Sequence, residues 1–132
     1  LKLEAFNSII DEHYFEKSCS IVERTYNITK ASKDKVDDVL PALFREPEEK
    51  ALYKAFKQLE PVFKQFCADR EYISATKAFS ESLSDILHDF FDKVMVNVDN
   101  KSLRINRLGL LACINRLYVD NIADLSKIVI KR

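Results

Sequence analysis

Phe90-Phe91-Asp92-Lys93-Val94-Met95-Val96 leads through Asn97-Val98-Asp99-Asn100-Lys101-Ser102 into Leu103-Arg104-Ile105-Asn106-Arg107-Leu108-Gly109-Leu110-Leu111. One apolar stripe ends in this stretch, a polar break follows, and a second stripe begins. Upstream, Tyr72, Thr76, Phe79, Leu83, Ile86, Leu87, Phe90 and Val94 recur at helical spacing, which predicts one long helix. Val94 to Asn100 has no helical period, Asp99-Asn100 is a turn pair, and Ser102 is the expected cap of the last helix. In that helix Leu103, Leu110, Leu111, Ile114, Leu117 and Tyr118 fall on one broad stripe at about 100° per residue. Arg107 lands inside the stripe, Arg104 at its edge and Arg116 well outside it. A guanidinium aimed at a core needs a partner, because an unpaired buried charge is very costly. Asp92, on the preceding helix, is the expected partner, so Asp92 and Arg107 are read as a structural ion pair. The alternative use of Arg107 is direct contact with a ligand.

The same periodicity continues towards the N-terminus. Glu46-Pro47-Glu48-Glu49 marks a helix start: proline loses no needed hydrogen bond there, and the glutamates oppose the positive end of the dipole. Leu52, Ala55, Phe56, Leu59, Phe63 and Phe66 keep one face across Pro61, which predicts a kink and not a stop. A turn is expected at Asp69-Arg70. Earlier, Phe15, Cys19, Val22 and Tyr26 form a buried stripe with Asp11 as its N-cap, running out into a polar connector from Lys30 to Lys35. Leu3, Phe6, Ile9 and Ile10 suggest that residues 1–10 end a first helix. The expected fold is all-α: an antiparallel bundle of about five helices, with residues 1–132 as a single domain.

Composition agrees. One Gly and three Pro leave little turn chemistry for a multi-stranded sheet, whereas long helices need few turns. No apolar run approaches the roughly 20 residues of a membrane span, and no signal-peptide pattern opens the chain. Cys19, Cys67 and Cys113 are scattered, which excludes a disulfide framework and a zinc site and fits a reducing compartment. Leu1 opens the chain and Met95 is its only methionine, so the chain is expected to be a piece of a longer protein.

Catalytic patterns are missing. One glycine cannot build a phosphate-cradling loop, and His13 and His88 lack metal-ligand neighbours on both sides. His88 with Asp85 and Asp92 reads as a solvated helix face. Binding has more to work with. The 21 basic and 21 acidic residues balance, yet Lys101, Arg104, Arg107 and Arg116 lie in a segment without an acidic residue before Val119. Arg24 sits opposite the Phe15–Val22 stripe, with Asn27 on its flank. Together with the last helix these groups suit RNA: Arg forks onto phosphate or base edges, and Asn pairs with an exposed base edge. Phe90, Phe91 and Tyr118 are read as core, with base stacking as the alternative.

The opening stretch resembles the C-terminal anticodon-binding domain of the bacterial-type glycyl-tRNA synthetase beta subunit, an all-helical module named after a DALR motif. Glu23-Arg24-Thr25-Tyr26-Asn27-Ile28, Val39-Leu40-Pro41-Ala42-Leu43-Phe44, Glu46-Pro47-Glu48-Glu49-Lys50-Ala51-Leu52 and Ile122-Ala123-Asp124-Leu125-Ser126 resemble further segments of that family in the same order. The resemblance implies a part of glycine–tRNA ligase, in separate or fused alpha and beta form, that engages the anticodon end of glycine tRNA. That anticodon has cytosines at its second and third positions. Arg24, Asn27, Arg104, Asn106 and Arg107 fall on the family's motif positions and are the implied RNA-binding residues. Two departures stand out: Glu23 replaces a favoured Lys, and Gly109 replaces a common Ala, weakening the helix by about 1 kcal/mol. The domain itself is expected to hold no cofactor and no catalytic residue, ATP and Mg2+ belonging to the catalytic alpha part. The remaining implications are a cytoplasmic setting, the rest of the synthetase as partner, and no contact with DNA or membrane. A helical protein–protein docking module without RNA contact is the rival reading, favoured by zero net charge. A DALR-type domain of another synthetase, such as the arginine enzyme, is the second.

Overall fold

A computed structural model describes residues 13–32 and 38–122. These hold four α-helices, α1 (His13–Lys30), α2 (Pro47–Ala68), α3 (Tyr72–Lys93) and α4 (Lys101–Asn121), with a single 3-10 turn at Pro41–Leu43. There is no strand among the described residues. Of the five expected helices these are four; the first, over residues 1–10, and the Asp11 cap lie outside the described residues.

Each helix forms where its apolar period and its end signals coincide. In α2, Pro47 occupies the first turn, and the Glu49 carboxylate accepts from the Glu46 N–H at 3.0 Å and the Arg45 N–H at 3.2 Å. Two donors that a helix start leaves orphaned are thereby satisfied. The helix continues through Pro61, whose ring lies on the exposed side. It ends where Arg70 adopts φ 61°, with Arg70 N–H donating to Cys67 O and Glu71 N–H to Phe66 O. That is a Schellman closure, usually given to glycine; using Arg costs roughly 1–2 kcal/mol of backbone strain. α4 begins two residues earlier than expected, at Lys101. Asn100, not Ser102, is the cap, its Oδ1 accepting from Leu103 N–H at 3.1 Å.

α2 and α3 form the most extensive helix pair, α1 packs on α3 and α4, and α4 also meets α2. One core results, with Phe63, Phe79 and Tyr118 at its centre and ring centroids 4.9–5.7 Å apart. Such aromatic contacts add about 0.5–1.5 kcal/mol each beyond their buried area. The Tyr118 hydroxyl bonds Thr76 Oγ1, and Ser18 Oγ donates to Thr76 O at 3.0 Å, so polar atoms of α1, α3 and α4 meet inside the core. Burial holds the Tyr118 phenol protonated well above the usual range. Tyr26 departs from the expected stripe: it is 40% exposed, and Thr25 takes the buried position.

α4 departs further. Residues 106–112 are all buried, nearly two turns without a solvent face, so this helix is enclosed rather than striped. Enclosure dictates what its polar residues must do. Arg107, 5% exposed, donates from Nη2 to Glu49 Oε1 at 3.0 Å and from Nη1 to Met95 O at 2.7 Å. The expected partner Asp92 is exposed at the end of α3, away from that core position. Glu49 takes its place because the start of α2 delivers a fully buried carboxylate there. Glu49 Oε2 and Arg107 Nε have no partner among the described residues, so the pair is a single-point contact and not a fork. Its net contribution is modest, but breaking it strands a charge.

Arg107→Ala is therefore expected to cost about 3–5 kcal/mol in denaturant unfolding, and Asp92→Ala to stay within about 0.5 kcal/mol. Equal midpoints for wild type and Arg107→Ala would refute the Glu49 assignment. Tyr118→Phe, which strands the Thr76 hydroxyl, is expected to lower stability by about 1–3 kcal/mol; an unshifted melting curve would contradict this.

Candidate nucleic-acid interface

The implied RNA-binding residues separate into two groups. Arg24 and Asn27 are exposed on α1, and Arg104 is half-buried on α4. Asn106 and Arg107 are buried at 3% and 5% exposure.

Helix geometry explains the first group. Arg24, Ile28 and Ala31 stand at i, i+4 and i+7 on α1 and share a face, with Asn27 beside it. The Arg24 guanidinium lies 4.4 Å from the centroid of the Phe91 ring, a cation–π contact that fixes a long side chain at the surface. Ile28 and Ala31 then wall a cavity of about 400 Å3, closed by Ser32, Val96, Asn97, Arg104 and Leu108. The cavity lies between the end of α1, the segment before α4, and α4 itself. Apolar walls with a guanidinium, an amide and a hydroxyl at the rim suit an unstacked base.

Arg104 holds one wall of this cavity in place. Its Nη1 donates to Val98 O at 2.8 Å and to Asp99 O at 3.4 Å. Asn106 is committed elsewhere: Oδ1 accepts from Leu40 N–H at 2.7 Å, and Nδ2 donates to Leu40 O at 3.1 Å. It thus pins the segment entering the 3-10 turn to α4. Asn106 and Arg107 anchor the backbone around the site, because an enclosed stretch of helix must satisfy its polar groups internally. Phe90 and Tyr118 are buried and packed, while Phe91 is half-buried beneath Arg24.

The other basic residues do not join this site. Arg116 lines a separate cavity of about 490 Å3 with Lys57 and Lys64, but Glu60 and Asp120 share it, and Glu60 pairs Lys57 at 3.3 Å and Lys64 at 3.6 Å. Cys113 lines the same cavity, and burial pushes its thiol up, keeping it neutral. His88 and Asp85 are exposed on α3. Among the described residues no helix is long and apolar enough to cross a membrane.

Sequence reasoning missed three structural participants: Glu49, Asn97 and Asn115. Asn115 Nδ2 donates to Val22 O at 3.1 Å and Thr25 Oγ1 at 3.2 Å, tying α4 to the helix that carries Arg24. Its signal was present, since Asn115 adjoins the apolar stripe of α4. A half-buried polar residue facing a neighbouring helix requires a partner.

Comparison with known proteins identifies the family. Residues 16–124 match the family described as DALR anticodon binding domain. The glycine–tRNA ligase beta subunit of Geotalea daltonii is 35% identical over 128 residues, 96% of this chain and 18% of that protein. Those of Ralstonia nicotianae and Methylobacillus flagellatus are 34% identical over 127 residues and 36% over 107, covering 96% and 80% of this chain. This chain spans 18% and 15% of their respective lengths. With an all-helical fold and a family match over most of its length, the chain belongs to the DALR anticodon binding domain family.

Proposed function

We propose that this domain binds the anticodon end of glycine tRNA as part of a cytoplasmic glycine–tRNA ligase, and orients the tRNA for aminoacylation elsewhere in the enzyme. The family match over residues 16–124 carries the reading. Arg104 in the lining of the α1–α4 cavity supports it, with Arg24 on the face of α1 that it shares with the cavity residues Ile28 and Ala31. The named relatives supply the amino acid.

Binding and positioning are the whole mechanism of this part. Arg24 supplies a fixed positive charge for the phosphate backbone, which sets register. The cavity accepts a base from a splayed loop, and Arg104 keeps its wall in shape while adding positive charge beside it. Base-edge contacts then discriminate by about 1–3 kcal/mol for each good bidentate pair. No cofactor takes part here, and ATP and Mg2+ act in the catalytic alpha part. A DALR domain of another synthetase would use the same surface for a different anticodon.

The test is binding of the chain to glycine tRNA transcripts, with each anticodon base changed in turn, over a salt series. Weaker binding on changing the second or third anticodon base, with a salt slope equivalent to several phosphate contacts, is the expected result. No binding at low salt would overturn the tRNA reading in favour of a docking module. Arg24→Ala is expected to lower affinity about tenfold, the scale of one charged hydrogen bond, with stability changed by no more than about 0.5 kcal/mol. Arg104→Ala should weaken binding while unfolding stays cooperative. Unchanged affinity in both variants would remove this surface from the site.

A further inference from the structure

The segment between α3 and α4 is held by its backbone. Arg107 Nη1 donates to Met95 O at 2.7 Å, and Arg104 Nη1 to Val98 O at 2.8 Å. Val98 N–H donates to Val96 O at 3.0 Å, a γ-type turn with Asn97 at its apex. Asn100 then closes the segment as the cap of α4. Burial alternates along it: Val94 and Val96 are buried, whereas Met95 is 70% exposed and Asn97 is exposed. Two inward valines and four hydrogen-bonded carbonyl or cap positions thus fix a short irregular loop, and the loop presents two side chains outward.

Both side chains face away from the two buried valines. Asn97 lines the α1–α4 cavity, and its amide makes no hydrogen bond among the described residues. Met95 is the most exposed large hydrophobic side chain among the described residues, on a loop whose other apolar residues are at least partly buried. A rigid loop displaying an apolar, polarisable side chain beside an amide is suited to an unstacked base, one packing on its face and the other pairing with its edge. Rigidity matters because a held loop loses little entropy on binding.

We infer that the α1–α4 cavity takes one unstacked anticodon base and that Asn97 reads its edge, with Met95 packing beside it. This rests on the tRNA reading above and assigns its specificity to a residue that is not among the RNA-binding residues implied by the resemblance. A carboxamide offers one acceptor and one donor side by side, so it pairs with a base edge that presents the reverse. A carboxylate offers acceptors alone, and the base with two adjacent edge donors is guanine, through N1–H and N2–H2.

The experiment measures the affinity of wild type, Asn97→Ala and Asn97→Asp for glycine tRNA transcripts carrying each of the four bases at each anticodon position. Wild type should prefer one base at one position by about tenfold. Asn97→Ala should level that preference at that position only, and Asn97→Asp should shift it towards guanine there. Asn97 is exposed, so unchanged melting temperatures are expected and separate base reading from folding. Wild-type discrimination retained in both variants would overturn the assignment of Asn97 and leave the tRNA reading intact. Absence of transcript binding by wild type would overturn both.

Discussion

A single carboxylate organises most of what is distinctive here. Glu49 Oε1 accepts from the backbone of Arg45 and Glu46 and from the guanidinium of Arg107. The same oxygen therefore starts α2, neutralises the charge inside α4 and, through the second arm of Arg107, fixes the carbonyl of Met95. Two segments distant in sequence meet at one buried atom, and a third is tied to it through Arg107. Ion pairs of this kind add little net stability over a well-packed apolar contact, but they punish alternatives: any packing that separates the partners buries a bare charge. The position of α4 relative to α2 is thus specified by exclusion more than by attraction.

Around this constraint the polar residues of α4 divide the work. Arg104, Asn106 and Arg107 each hold a main-chain carbonyl of a neighbouring segment, at Val98, Leu40 and Met95. Asn115 holds α1 in the same manner, at Val22. Where α4 is enclosed, over residues 106–112, its polar side chains are satisfied by the segments that enclose it, and the half-buried Arg104 and Asn115 do the same at its margins. Residues whose type suits a nucleic-acid ligand thus hold the main chain of neighbouring segments.

Helix positions were legible in the sequence because they rest on local periodicity. The Pro47 start and the Asp69-Arg70 turn carry their own signals in proline, glutamate and the end of an apolar stripe. The stripe of α3 was read correctly because two of its sides face neighbours and the remainder faces water. What failed was non-local. Nothing near Arg107 distinguishes Glu49 from Asp92, since the choice depends on how two helices cross; the closer residue in sequence was the wrong one. Enclosure of α4 was hidden for the same reason: Leu108 and Asn106 lie off the apolar stripe, and only the 3-10 turn and the 94–100 segment reveal that they are covered. The surface residues Arg24 and Asn27 were legible as motif positions. Asn97 was not, because a loop side chain acquires meaning from the backbone that aims it.

Holding a loop by its main chain has an evolutionary consequence. Met95 O and Val98 O are gripped whatever side chains those residues bear, so the shape of the segment is insulated from the letters written on it. Replacements at positions 95 and 97 leave every anchoring contact in place and need no compensating change in the core. A scaffold built in this way keeps its shape when one or two residues of the loop are replaced, while the helices that carry it stay under the strict packing demands of a buried charge.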